Sequence, residues 1–103
     1  MKRTLIRYKT RPEAADANAA LVEAVFAELR VRQPAGVRYA TLRLDDGVFV
    51  HVVEHEADDS PSPLLQLDAF QAFQRGIRER CVEPPEARGA MVIGNYRMLV
   101  EPG

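Results

Sequence analysis

The chain has 103 residues, a formal net charge of -1, one cysteine and no tryptophan. That length makes a single domain, 1–103, whose core buries only about two thirds of the surface of the unfolded chain, and no disulfide can reinforce it because Cys81 has no partner within the chain. The near-neutral charge excludes the overall basic field of a nucleic-acid binder. No apolar run is long enough to span a bilayer, and the charged opening Met1 to Lys9 lacks the apolar stretch of a signal peptide, so the expected setting is the cytoplasm.

Along the first strand Thr4, Ile6 and Tyr8 alternate with Leu5, Arg7 and Lys9, the period of two of a β-strand. Thr10-Arg11-Pro12-Glu13 then reads as a capping box that starts a helix, with Pro12 in the turn that needs no amide donor. Leu21, Val22, Val25, Phe26 and Leu29 recur at helical spacing as its apolar stripe, and Pro34-Ala35-Gly36 stops it. A second strand runs to about Asp45, and a turn at Asp46-Gly47 leads into a third ending near Glu56. A three-residue turn with a left-handed Gly47 keeps Val48, Val50 and Val52 opposite Leu42 and Leu44, whereas a two-residue turn slips the pairing by one. Ala57 to Pro63, acidic and broken by prolines, reads as a surface loop. Leu67, Phe70, Phe73, Ile77 and Cys81 form the stripe of a second helix, ended by Glu83-Pro84-Pro85-Glu86, and a last strand is expected from about Arg88 to Val100.

The order strand, helix, strand, strand, helix, strand is a split βαβ pair. It predicts an α+β, ferredoxin-like βαββαβ fold: a four-stranded antiparallel sheet in order 4-1-3-2 with two helices on one face. The even positions (Ile6, Tyr8; Ala40, Leu42; Val48, Val50, Val52) are mostly aliphatic and are expected to meet the helices. The odd positions would then turn Leu5, Phe49, Val53, Met91 and Ile93 outward, a patch that monomers rarely leave bare. A second copy related by a two-fold axis would cover it, so a homodimer is expected.

With this layout, Gly-Val-Phe-Val-His at 47 to 51, Ser-Pro-Leu at 62 to 64 and Phe-Gln-Ala-Phe at 70 to 73, the chain resembles the dimeric α+β barrel superfamily. Within that superfamily it is most similar to small proteins grouped with antibiotic biosynthesis monooxygenases. The resemblance implies a cleft between sheet and helices or between two sheets. Some members oxidise aromatic polyketides without a cofactor and others degrade haem. Tryptophan, which recurs in the sites of both groups, is absent here.

His51 is the candidate catalytic residue, as a general base or ligand hydrogen-bonder; a buried histidine satisfied across a dimer is the plainer role open to it. Strand 1 is expected to run parallel beside it, bringing Arg7 or Lys9 near. His55 lies about 13 Å further along at strand rise, and neither histidine has the spacing of a metal site, so no metal and no cofactor are expected. Arg7, Arg43 and Arg97 with Asn95 could hold a planar anion or form interface ion pairs with Glu54, Glu56 or Glu101. Tyr39 could orient a ligand against Phe49, Ile93, Phe70 and Phe73, or cover a sheet edge. Cys81 reads as a buried, inert thiol and the arginines of 75–80 as a solvated face. No phosphate-cradling glycine loop, serine nucleophile elbow or CxxC pair is present, and only Phe49 is offered for base stacking. The function read from the chain is therefore binding of a small aromatic or acidic organic molecule in a barrel cleft, with cofactor-independent oxygenation as the candidate chemistry. A structural or partner-binding homodimer without activity is the alternative.

Overall fold

A computed structural model describes residues 2–56 and 62–99. Its elements are β1 (Lys2–Thr10), a 3-10 turn (Pro12–Ala14), α1 (Ala15–Arg32), β2 (Val37–Arg43), β3 (Val48–His55), a second 3-10 turn (Pro63–Gln66), α2 (Asp68–Gln74), α3 (Ile77–Arg80) and β4 (Cys81–Gly89). The strands form one sheet in order β2-β3-β1-β4, the expected order read from the other edge, and all neighbours are antiparallel. The expectation that strand 1 runs parallel to strand 3 is thus corrected. In this topology β1 and β2 share a direction with β3 reversed between them.

The β2-β3 turn is the three-residue form. The Leu44 N–H donates to the Val48 carbonyl at 2.8 Å, Leu42 stands opposite Val50, and Gly47 takes φ +85°. That backbone conformation suits glycine, and a Cβ there would also meet the Thr10 carbonyl at 3.4 Å.

Between β1 and β3 the register has the opposite parity: Ile6 stands opposite His51 and Tyr8 opposite Phe49, so even positions of β1 share a face with odd positions of β3. This corrects the expected faces. Tyr8, Phe49 and Val53 are buried in one cluster with Val22 and Val25 of α1 and Leu67 and Phe73 at α2. The odd positions of the β2-β3 hairpin therefore meet the helices. Leu42 is 60 % exposed, and Leu5 is 38 % exposed on the same outer side. Phe49 and Val53 do not form the outward patch.

Three further expectations change. Thr10 is the last residue of β1 and does not cap a helix; its hydroxyl donates to the Gly47 carbonyl at 3.4 Å, and α1 begins at Ala15 after the 3-10 turn. The second helix does not run on to Cys81. Gly76, at φ +74°, separates α2 from the single turn of α3.

Finally, Cys81 opens β4 directly, and the strand ends at Gly89, not Val100. Prolines are tolerated inside it because β4 is an edge strand and because Pro84 and Pro85 form a bulge. Arg7 pairs with Glu86 and Lys9 with Glu83, so two residues stand against Tyr8 alone. Residues 90–99 follow outside any regular element, with Met91, Ile93, Tyr96 and Met98 at 86 %, 99 %, 78 % and 86 % exposure. Met1, 57–61 of the expected loop, the expected strand end at Val100 and the carboxylate of Glu101 lie outside the described residues. Among the described residues no helix is long and apolar enough to cross a membrane.

Candidate functional site

A cavity of about 360 Å³ lies between the inner face of the sheet and the α2-α3 segment. Tyr8, Tyr39 and His51 form its floor. Phe70, Phe73 and Ile77 roof it, Ile6 and Pro85 close the β1-β4 side, and Gln74 and Arg78 stand with them in its wall. Ile77 and Arg78, which follow the left-handed Gly76, reach the cavity from the first turn of α3. The rings pack as a lattice. Tyr8 stacks on Phe49 with centroids 5.4 Å apart, His51 lies 5.4 Å from Phe73, and Tyr39 stacks between Phe26 at 5.0 Å and His51 at 5.6 Å.

A chain of hydrogen bonds crosses this lattice. The Arg80 Nε–H donates to Asn18 Oδ1 at 3.0 Å, the Asn18 amide donates to the Tyr8 oxygen at 2.8 Å, and the Tyr8 hydroxyl lies 2.8 Å from His51 Nε2. On the other ring nitrogen, Nδ1 contacts the Tyr39 hydroxyl and lies 3.1 Å from Thr41 Oγ1. Asn18 is fully buried and His51 is 2 % exposed. Among the described residues no buried side-chain polar atom lacks a partner, the arrangement in which an interior polar network stabilises and not merely costs.

Burial fixes the charge states. It lowers the His51 pKa to about 4, raises that of Tyr39 to about 12 against an opposing hydrogen bond from Thr41, and raises that of Tyr8 against the bond from Asn18. At neutral pH the floor is therefore uncharged, with one imidazole and two phenols. The Cys81 thiol is also held protonated by burial. No cluster of three His, Cys, Asp or Glu side chains suited to a metal ion occurs among the described residues.

Of the residues singled out in the sequence, the structure brings His51, Tyr39, Phe70 and Phe73 together at the cavity. Phe49 lies beneath it as the stacking partner of Tyr8. Arg7 is on the opposite face, 2.8 Å from Glu83, and Arg43 pairs with Asp16 at 3.0 Å. Ile93 and Asn95 lie in the segment after β4, where the Asn95 side-chain Oδ1 accepts from the Met98 and Leu99 amides. His55 bonds Ser62 at 2.8 Å, away from His51. Tyr8, Asn18, Arg80 and Arg78 escaped the sequence reading. Tyr8 reads as one more even-position core residue facing the helices, and the others sit in helices where a single polar residue carries no periodic signal.

No protein-family model matches the sequence, and no curated protein matches it. Solved structures do. A crystal structure described as an antibiotic biosynthesis monooxygenase superposes with a TM-score of 0.73 at 16 % identity, covering 91 % of this chain and all (100 %) of its own. A Mycobacterium tuberculosis protein gives 0.72 at 18 % identity, covering 91 % and 96 %. A protein from Bacteroides thetaiotaomicron, described as a candidate antibiotic biosynthesis monooxygenase, gives 0.76 at 10 % identity, covering 96 % and 95 %. The fold is that of these structures, which agrees with the ferredoxin-like α+β architecture expected from the element order.

The buried histidine predicts a pH dependence with a defined sign. Its folded pKa is depressed from 6.5 to about 4, so the unfolded chain takes up the proton first as pH falls. The contribution is complete above pH 6.5 and is lost on acidification toward 4, a loss of about 3 kcal/mol. Urea denaturation across this window should show that loss in the wild type and a smaller slope in His51→Gln; equal slopes would place the buried proton site elsewhere.

Proposed function

We propose that the protein binds a small aromatic molecule of two or three fused rings in this cavity and oxidises it with molecular oxygen, using no metal or organic cofactor. The observation that carries the reading is the neutral His51, hydrogen-bonded at both ring nitrogens and set into the floor of an apolar cavity. Size supports it: a cavity of roughly 150 Å³ accommodates benzene, and this one is about 360 Å³. The fold supports it as well, since the similar structures include proteins described as antibiotic biosynthesis monooxygenases.

The reaction needs an electron-rich substrate with an acidic C–H, such as an anthrone. His51 takes the proton through the Tyr8 hydroxyl, so that Tyr8 passes its hydrogen to Nε2 as it receives one from the ring carbon. The resulting enolate supplies the opposite charge that stabilises a buried imidazolium. The enolate then gives an electron to O2, the radical pair joins to form a C–O bond, and the peroxide anion takes the proton back from His51 through Tyr8 to become the hydroperoxide. Elimination of water from the hydroperoxide leaves the ketone, so that each CH2 and O2 become C=O and H2O. Apolar walls keep water from the intermediates. Arg78 and Gln74 offer polar contacts to an acidic substituent on the substrate.

The homodimer belongs to the same reading. Leu5 and Leu42 on the outer sheet face, with the exposed Met91, Ile93, Tyr96 and Met98, form apolar surface that a second copy would cover. Light scattering at micromolar concentration should give twice the chain mass, and a clean monomer would contradict it. With anthrone as substrate, an oxygen electrode should record one O2 consumed per molecule oxidised. His51→Ala should lower the rate by a factor of roughly 100 or more, the scale of lost general-base catalysis. Oxygen uptake unchanged in that variant would remove His51 from the chemistry.

A further inference from the structure

The hydrogen-bond chain has a direction, and the direction selects a ligand. Arg80 can only donate, so the Asn18 atom facing its Nε–H is the oxygen; this settles the amide orientation on chemical grounds. The NH2 group of Asn18 then necessarily faces Tyr8 and donates to it. Tyr8 is 1 % exposed, and its own hydroxyl hydrogen needs an acceptor. Among the described residues, the acceptor within reach is His51 Nε2 at 2.8 Å. A neutral imidazole that accepts at Nε2 carries its hydrogen on Nδ1. That Nδ1–H donates to the Tyr39 oxygen and, at 3.1 Å, to Thr41 Oγ1. With its oxygen accepting from His51, Tyr39 has its O–H hydrogen left to give, and Tyr39 lines the cavity.

We propose that Arg80 and Asn18 are positioning residues that hold His51 as the Nδ1–H tautomer, and that the Tyr39 hydroxyl in consequence presents a hydrogen-bond donor to the cavity, selecting aromatic ketones over aromatic N–H or O–H donors. The selection rests on the proposal that the cavity binds an aromatic ligand; the tautomer does not. A carbonyl held by the Tyr39 hydroxyl is also activated for loss of a proton from a carbon conjugated with it, because the negative charge of the enolate develops on that oxygen. Arg80 has a second structural tie to the site through its bond to the Phe73 carbonyl, which fixes the end of α2 over His51.

The test reads the tautomer directly by long-range proton-nitrogen NMR of the His51 ring, in the protein without ligand. The wild type should show the hydrogen on Nδ1. In Asn18→Asp the side chain facing Tyr8 becomes an acceptor, Tyr8 donates to it, and the His51 hydrogen should move to Nε2. Should that variant fail to fold, Arg80→Lys, which still only donates, should keep Nδ1–H, while Arg80→Gln should release a mixture. Binding is read with 1-tetralone, an acceptor only, and indole, a donor only. The wild type should favour tetralone by about tenfold, the scale of one hydrogen bond, and Asn18→Asp should lose or reverse the preference. A wild-type ring protonated on Nε2, or a tautomer indifferent to Asn18→Asp and Arg80→Gln, overturns the proposal. The expected tautomer with neither probe bound upholds the positioning roles and overturns the ligand selection together with the cavity's proposed use.

Discussion

Ile6 stands opposite His51 and Tyr8 opposite Phe49, and this odd register between β1 and β3 is the constraint on which the site depends. It places an even position of one strand beside odd positions of the next. Tyr8 therefore shares a face with His51, and through the β2-β3 pairing with Tyr39, which stands opposite Val53. A slip of one residue would send the imidazole to the outer face and leave the buried Tyr8 hydroxyl without its acceptor, an uncompensated polar burial. The bulge at Pro84 and Pro85, opposite Tyr8, brings Pro85 into the wall of the cavity.

The same register explains why polar side chains occupy the interior while Leu5 and Leu42 face out. Tyr39, Thr41 and His51 satisfy one another, and Tyr8 connects them to Asn18 and Arg80. Such a network resists rearrangement, since the loss of any member strands the next. Burial, against the opposing hydrogen bonds, keeps His51, Tyr8 and Tyr39 neutral at the bottom of an apolar cavity. The outward apolar groups are the counterpart of this choice.

The element order was legible because each element carries a signal along the chain itself. Alternation marked β1, β2 and β3, the helical stripe through Val22, Val25 and Leu29 marked α1, and Gly47 marked the hairpin turn. From these the sheet order followed by handedness alone. What the sequence did not disclose was set by contacts distant in the chain. The face assignment failed because nothing within β1 or β3 states the parity of their pairing. The second helix was read through to Cys81 because the periodicity of Ile77 and Cys81 continues across Gly76, although the left-handed glycine ends it. Pro84 and Pro85 were read as a breaker, the normal meaning of a proline pair, and only their edge position and bulge make them part of β4. His51, Tyr39, Phe70 and Phe73 were named from residue chemistry. Asn18 and Arg80, which orient them, looked like any polar residues on a helix.

The central claim is that the cavity over His51 is where an aromatic ligand binds. The chain contains two histidines, His51 in the cavity floor and His55 bonded to Ser62, so a carbon-labelled histidine spectrum has an internal reference. Titration with anthrone in the absence of oxygen should move the ring signals of His51 saturably while those of His55 stay in place. A His51 signal that does not move, or a shift confined to His55, would contradict the account.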